Sequence, residues 1–182
     1  MDFPDIPELA LAKLREGLIG ISPTGAAALI EACCVALHNQ QHSDKVSITV
    51  AGAFSLVYCI RWYPGEVTDQ VRRFWNDPDR AAEWGAECIA CLLIIELTEY
   101  TIIDRSRKGT GFDYWLGHDD DGSLFERKGR LEVSGMTSAK ESEIKSRTKQ
   151  KITQTEKSDC MALPAYAVVV EFSRPRAQVA TK

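Results

Sequence analysis

Asp113 and Glu132 stand where a carboxylate is costly. Asp113 lies among aromatics in Gly111-Phe112-Asp113-Tyr114-Trp115-Leu116-Gly117, and Glu132 lies between Leu131 and Val133. An ionised carboxyl in an apolar strand requires a partner, and two on adjacent strands repel unless positive charge lies between them. A divalent cation meets that need. Mg²⁺ takes one or two carboxylates and keeps waters for a substrate, so the pair points to Mg²⁺, with Mn²⁺ as its substitute. A second reading needs no metal: Asp113 bonds to backbone N–H groups near a turn, and Glu132 pairs with Arg130 or Arg105 across the sheet.

Other chemistry-bearing patterns are weaker. Cys88 and Cys91 have C-x₂-C spacing, but on an apolar helix with no second pair, which predicts packing. Asp119-Asp120-Asp121-Gly122 lacks the length and the distal glutamate of a calcium loop and predicts a solvated hairpin turn. Gly109-Thr110-Gly111 joins two strands instead of opening a helix, unlike a phosphate loop. His38, His42 and His118 form no defensible Ser/His/Asp arrangement. Phe112, Tyr114 and Trp115 alternate about Asp113, which suits core packing, with base stacking as the other use of the rings.

The elements that must position the pair follow from periodicity. Leu9, Leu11, Leu14 and Leu18 predict a short amphipathic helix over 7–17, and Ser22-Pro23 opens a second helix to about His38. Val46, Ile48 and Val50 alternate as a strand, and Phe54–Trp62 continues as another before Pro64-Gly65. Thr68–Trp75 reads as a short helix. Asp77-Pro78 caps a longer one to about Thr98, apolar nearly all round after Glu87 and so central to the core. Three strands follow, over 101–107, 111–117 and 124–135. Ser138 and Glu141 have capping-box spacing for a polar helix to about Lys157. Tyr166–Phe172 is a last apolar strand, and the tail from Ser173 is expected to fray.

At 182 residues, with 45% hydrophobic and 26% charged side chains, the chain suits one globular domain. Residues 1–78 are expected to form an N-terminal extension of two helices and a β-hairpin, 79–173 the core and 174–182 the tail. The net charge is −4, yet residues 127–157 hold nine Lys/Arg against four Asp/Glu. A basic segment on an acidic body fits a phosphate-facing surface as well as a solvated helix. The helix over 139–157 carries Lys145, Lys149 and Lys151 for that purpose. The first residues lack a basic start and an apolar run, and no stretch has the length of a membrane span, so no membrane association is expected. Six cysteines lie mostly in apolar segments, as in a reducing compartment, which predicts a cytoplasmic protein.

From Asp79 onward the order of helix, three strands, helix and strand, with an acid on the second strand and another on the third, resembles the core of the restriction-endonuclease-like, or PD-(D/E)XK, nuclease superfamily. Gly111-Phe112-Asp113 matches a Gly-x-Asp, and Glu132-Val133-Ser134 matches a Glu-x-Lys with its last position changed. The resemblance implies an α/β fold with an αβββαβ core, a mixed sheet flanked by helices. It implies Asp113 and Glu132 as metal ligands, the Val133 carbonyl as a third oxygen, and Glu87 or Glu83 as an outer ligand or a residue orienting water. The activity implied is metal-assisted phosphodiester hydrolysis in nucleic acid, DNA before RNA. Ser134 departs from the pattern, since a hydroxyl offers a hydrogen bond but no charge. Some members lack this lysine and others carry it on a neighbouring element, for which Lys108, Lys128 and Lys145 are candidates. The alternative is a nuclease-like fold that no longer cuts and serves as a binding or immunity-type partner. Residues 1–78 are then the place for a protein partner or a homodimer contact.

Overall fold

Local caps and strand alternation build the elements, and small residues let them approach. The computed structural model describes residues 6–119 and 126–182. The chain opens with β1 (Glu8–Ala10) and a 3₁₀ turn over Leu11–Leu14, then α1 (Pro23–Asn39), whose N-cap Ser22 accepts from the Gly25 N–H at 3.1 Å. A hairpin follows, β2 (Lys45–Gly52) and β3 (Leu56–Arg61), then α2 (Asp69–Phe74). Next comes α3 (Pro78–Leu97), capped by Asp77 through the Asp79 and Arg80 N–H groups at 3.0 and 3.3 Å. The second half holds β4 (Thr101–Arg105), β5 (Tyr114–Gly117), β6 (Gly129–Met136), α4 (Glu141–Gln154), β7 (Ala165–Glu171) and β8 (Arg176–Thr181).

The fold is α/β. Its eight strands form one mixed sheet in the order β1-β3-β2-β8-β7-β6-β5-β4. The β4–β5, β5–β6, β7–β8 and β2–β3 pairs are antiparallel, whereas β6–β7, β2–β8 and β1–β3 are parallel. The parallel β6–β7 pair requires a crossover, and α4 supplies it. Leu131 and Val133 point to one face of β6, into the core shared with Ala86, Ile89 and Leu93 of α3, while Arg130 and Glu132 point to the α4 side. Close packing of α3 on β6 depends on Gly135, where a Cβ would stand 2.0 Å from the Ala82 carbonyl oxygen.

Several expectations are corrected. Residues 7–17 form β1 and a 3₁₀ turn instead of a helix, because Pro7 and β1 add to the edge of β3, with Cys59 N–H donating to the Pro7 carbonyl at 2.9 Å. Leu9, Leu11 and Leu14 are still buried, at a spacing that suits an extended start and a tight turn. The box over Ser138–Glu141 is displaced: Lys140 is the N-cap, and the Glu143 carboxylate accepts from its N–H at 2.6 Å. The polar helix ends at Gln154 and continues as a 3₁₀ segment, Thr155–Met161. The turn over Asp120–Gly122 and the expected strand start at Leu124 lie outside the described residues.

The largest correction is the tail. Residues 176–181 do not fray but form β8, hydrogen-bonded to β2 on one side and β7 on the other, with Ala177 and Val179 buried. Burying a valine is worth about 1.5–3 kcal/mol, and β8 also joins the N-terminal hairpin to the rest of the sheet. A chain ending at Ser173 is expected to lose cooperative thermal unfolding, read by circular dichroism. A truncated chain that melts like the full one would contradict this topology.

Candidate functional site

Strand alternation places Glu132 on the α4 side of β6, and the first residues of the β5 strand bring Asp113 beside it. The Asp113 N–H donates to the Leu131 carbonyl at 2.8 Å, and its Oδ2 accepts from the Val133 N–H at 2.8 Å. Asp113 thus staples the entry of β5 to β6. Glu132 is 2% exposed, and its Oε1 accepts from Lys151 Nζ at 2.5 Å and from Gln154 Nε2 at 3.0 Å. Burial first, and then the Asp113 carboxylate, push the Glu132 carboxyl up from 4.5 to about 7, against the pull of Lys151.

Two neighbours determine where Lys151 stands. Ile144, Thr148, Lys151 and Thr155 recur at helical spacing along the inward side of α4, and three of them are buried. Arg130, 2% exposed, donates to the Thr155 carbonyl at 3.0 Å, the Ser158 Oγ at 2.7 Å and the Leu163 carbonyl at 2.5 Å. It thereby pins the 3₁₀ segment after α4. The expected partner of Glu132, Arg130 or Arg105, is replaced by Lys151.

Asp113, Glu132 and Gln154 form the floor of a polar cavity of about 320 Å³, and Arg105 at the end of β4 with Arg107 and Lys108 of the β4–β5 loop form its wall. Gly111 holds this loop against α4: its φ is +88°, and a Cβ there would stand 2.3 Å from the Gln154 carbonyl oxygen. The loop closes on itself through Ser106, whose N–H donates to the Asp113 carbonyl at 2.8 Å and whose Oγ lies 2.9 Å from Thr110 Oγ1.

The acids expected on α3 are placed differently. Glu87 lies on the other face of the sheet, where it accepts from the Tyr114 hydroxyl and from Arg105 Nη2 at 3.1 Å. Burial raises its carboxyl above the ordinary range even so, and burial likewise raises the Tyr114 hydroxyl. Glu83 is exposed and is not part of the cavity wall. Among the described residues, no group of three or more His, Cys, Asp or Glu side chains is placed to hold a metal ion. Ser134 is half-buried, two residues beyond Glu132 on the same face.

Of the candidate replacement lysines, Lys108 reaches the cavity. Lys128 pairs with Glu126 at 2.9 Å and Lys145 with Glu141 at 2.7 Å. Lys151 is the residue that sequence reasoning passed over as a replacement, although a lysine at an inward helical position was its signal. Phe112 and Trp115 pack edge-to-face at 4.6 Å, both buried, which assigns those rings to the core. Cys88 and Cys91 are buried and unbridged. No described helix is long and apolar enough to cross a membrane.

Comparisons with protein-family models, curated proteins and solved structures gave no match. Geometry alone therefore carries the functional reading.

The raised Glu132 carboxyl has a consequence for the metal-free protein. Between 4.5 and about 7 the folded state holds a proton that the unfolded state has lost, so stability falls as pH rises through this window and levels above it. Glu132→Gln is expected to flatten that fall, leaving the contribution of Glu87, which has the same sign. Urea midpoints measured in chelator across the window test this, and an unchanged slope in the variant would contradict the assignment.

Proposed function

We propose that the chain is a divalent-metal-dependent phosphodiesterase of the restriction-endonuclease-like type, acting on nucleic acid, with DNA favoured over RNA. The observation that carries this reading is that Asp113 and Glu132 line one polar cavity, with Lys151 of α4 paired to Glu132 at 2.5 Å. The frame of α3, β4, β5, β6, α4 and β7 supports it, because it repeats the helix, three strands, helix and strand that the resemblance implies.

The residues present suit Mg²⁺. Asp113 and Glu132 are two adjacent carboxyls, one almost wholly buried and held partly protonated near neutrality, which an ion of double charge would relieve. The Val133 carbonyl, on the same edge of β6 as the N–H that meets Asp113, provides a third oxygen. Asp113, Glu132 and the Val133 carbonyl would supply the hard oxygen donors that Mg²⁺ takes. When bound, the metal supplies Lewis acidity and a water of lowered pKa.

The chain's own residues do the rest. Asp113 and Glu132 hold the metal, and the Asp113–Val133 bond keeps their spacing. Lys151 supplies the positive charge that Ser134 does not, reaching the same face of β6 from α4 instead of from the strand. Its ammonium stabilises negative charge on a phosphate above the acids, and Ser134 adds a hydroxyl. Gln154 orients Glu132. Glu87 acts at one remove, through Arg105.

The Lys151–Glu132 pair also favours a second reading. It satisfies Glu132 without metal, as in a nuclease-like fold that has become a binding or immunity-type partner.

Calorimetric titration of Mn²⁺ into the wild type, Asp113→Ala and Lys151→Met decides between them. The nuclease reading expects wild-type binding that is lost in Asp113→Ala and kept in Lys151→Met. It also expects cleavage of plasmid DNA to fall by about 10²–10⁴-fold in Lys151→Met. Absence of Mn²⁺ binding and of cleavage in the wild type would overturn the nuclease and leave the partner reading.

A further inference from the structure

We propose that the β4–β5 loop is a phosphate-binding subsite that takes the backbone of a single nucleic-acid strand beside the acidic pair. The place of that phosphate in a cleavage reaction rests on the phosphodiesterase reading above, but the binding itself does not.

Arg105 is the fixed member of the subsite. A guanidinium has five N–H donors. Two are spent on the Tyr114 hydroxyl at 3.1 Å and on Glu87 at 3.1 Å, and the Tyr114 ring lies 5.0 Å beneath the guanidinium carbon. These contacts fix the plane of the group, and Arg105, among the residues that line the cavity, keeps 54% of its side chain exposed. Three donors are left, in a fork whose orientation is already set, and a phosphate matches such a fork with little further loss of entropy. Glu87 and Tyr114 are therefore positioning residues for Arg105.

Arg107 and Lys108 are the exposed members. Both are exposed on the same wall, and neither forms an ion pair among the described residues. The loop that carries them is closed by the bonds of Ser106 and clamped to α4 at Gly111. Its cations are thus presented from a preformed turn. The cavity offers few apolar contacts and asks for a polar, anionic occupant. A small carboxylate ligand would bring its single charge close to Asp113 and Glu132 and could engage only part of the cationic wall. A phosphodiester is part of a chain of phosphates, so Arg105, Arg107 and Lys108 can each take one without forcing any onto the acids.

The test uses a fluorescein-labelled single-stranded DNA of about twelve nucleotides, within the span of such grooves. Binding is followed by anisotropy in chelator, so that no metal enters, over a series of salt concentrations. Arg105→Ala is expected to weaken binding about tenfold, and Arg105→Lys, which keeps the charge and loses the fork, to recover only part of it. Arg107→Ala/Lys108→Ala is expected to lower the slope of log affinity against log salt by about 1.4, the loss of two phosphate contacts on a single strand. Glu87→Gln is expected to weaken binding in the same direction as Arg105→Ala and to have no added effect when combined with it. Arg73→Ala on α2 serves as the control for loss of charge alone. No binding by the wild type, or loop variants that match Arg73→Ala in affinity and slope, would overturn the subsite. The Mn²⁺ titration is read separately. Loop variants that lose DNA while the wild type binds no Mn²⁺ would uphold the subsite and remove the phosphodiesterase.

Discussion

A carboxylate buried in the middle of a sheet must be neutralised, and much of this molecule is arranged around that requirement at Glu132. The neutralising charge comes from a different element, α4, and must arrive at one position on one face of β6. That demand determines the depth at which α4 lies, its end at Gln154 and the segment that follows. Arg130 enforces it from the same strand, its guanidinium spread over carbonyls of the 3₁₀ segment and of Leu163. Two cations on one surface, Arg130 and Lys151, thus have opposite tasks. Arg130 ties the helix end down, and Lys151 delivers charge to the acid.

The opposite face of the sheet works differently. There the contacts between α1, α3 and the strands are largely apolar and close, and Glu87, Tyr114 and Arg105 form a polar network among them. This small network links the two faces, because Arg105, at the end of the edge strand β4, both joins it and lines the cavity. An acid on the core helix can therefore influence the cavity on the far side of the sheet without entering it.

Much of this was legible in local patterns. The caps at Ser22 and Asp77, the alternation of β2, and the apolar runs of β3, β7 and α3 gave their elements nearly the right bounds. The adjacency of Asp113 and Glu132 also followed from reading two consecutive strands. Three features were not legible, each because a long-range contact decides it. The six residues of β8 are short, follow Pro175 and carry only two core side chains. Their central place depends on two partners distant in sequence. Lys151 was one lysine among several on α4, and only the packing of that helix on β6 singles it out. Glu87 was recognised as an acid on the right helix, but its face depends on where Tyr114 and Arg105 lie.

The position of β8 also bears on the order in which the molecule can be assembled. β8 follows the other seven strands in sequence yet stands between β2 and β7, so the N-terminal hairpin has no edge to join until residues 176–181 are in place. Before that, β7 presents one unpaired edge and β2 another, both apolar on the core side. Without β8 the sheet divides into two half-sheets, and residues 176–181 are the key that makes them one. The strand order thus sets a condition on assembly: the sheet closes over the core only when residues 176–181 are paired on both sides.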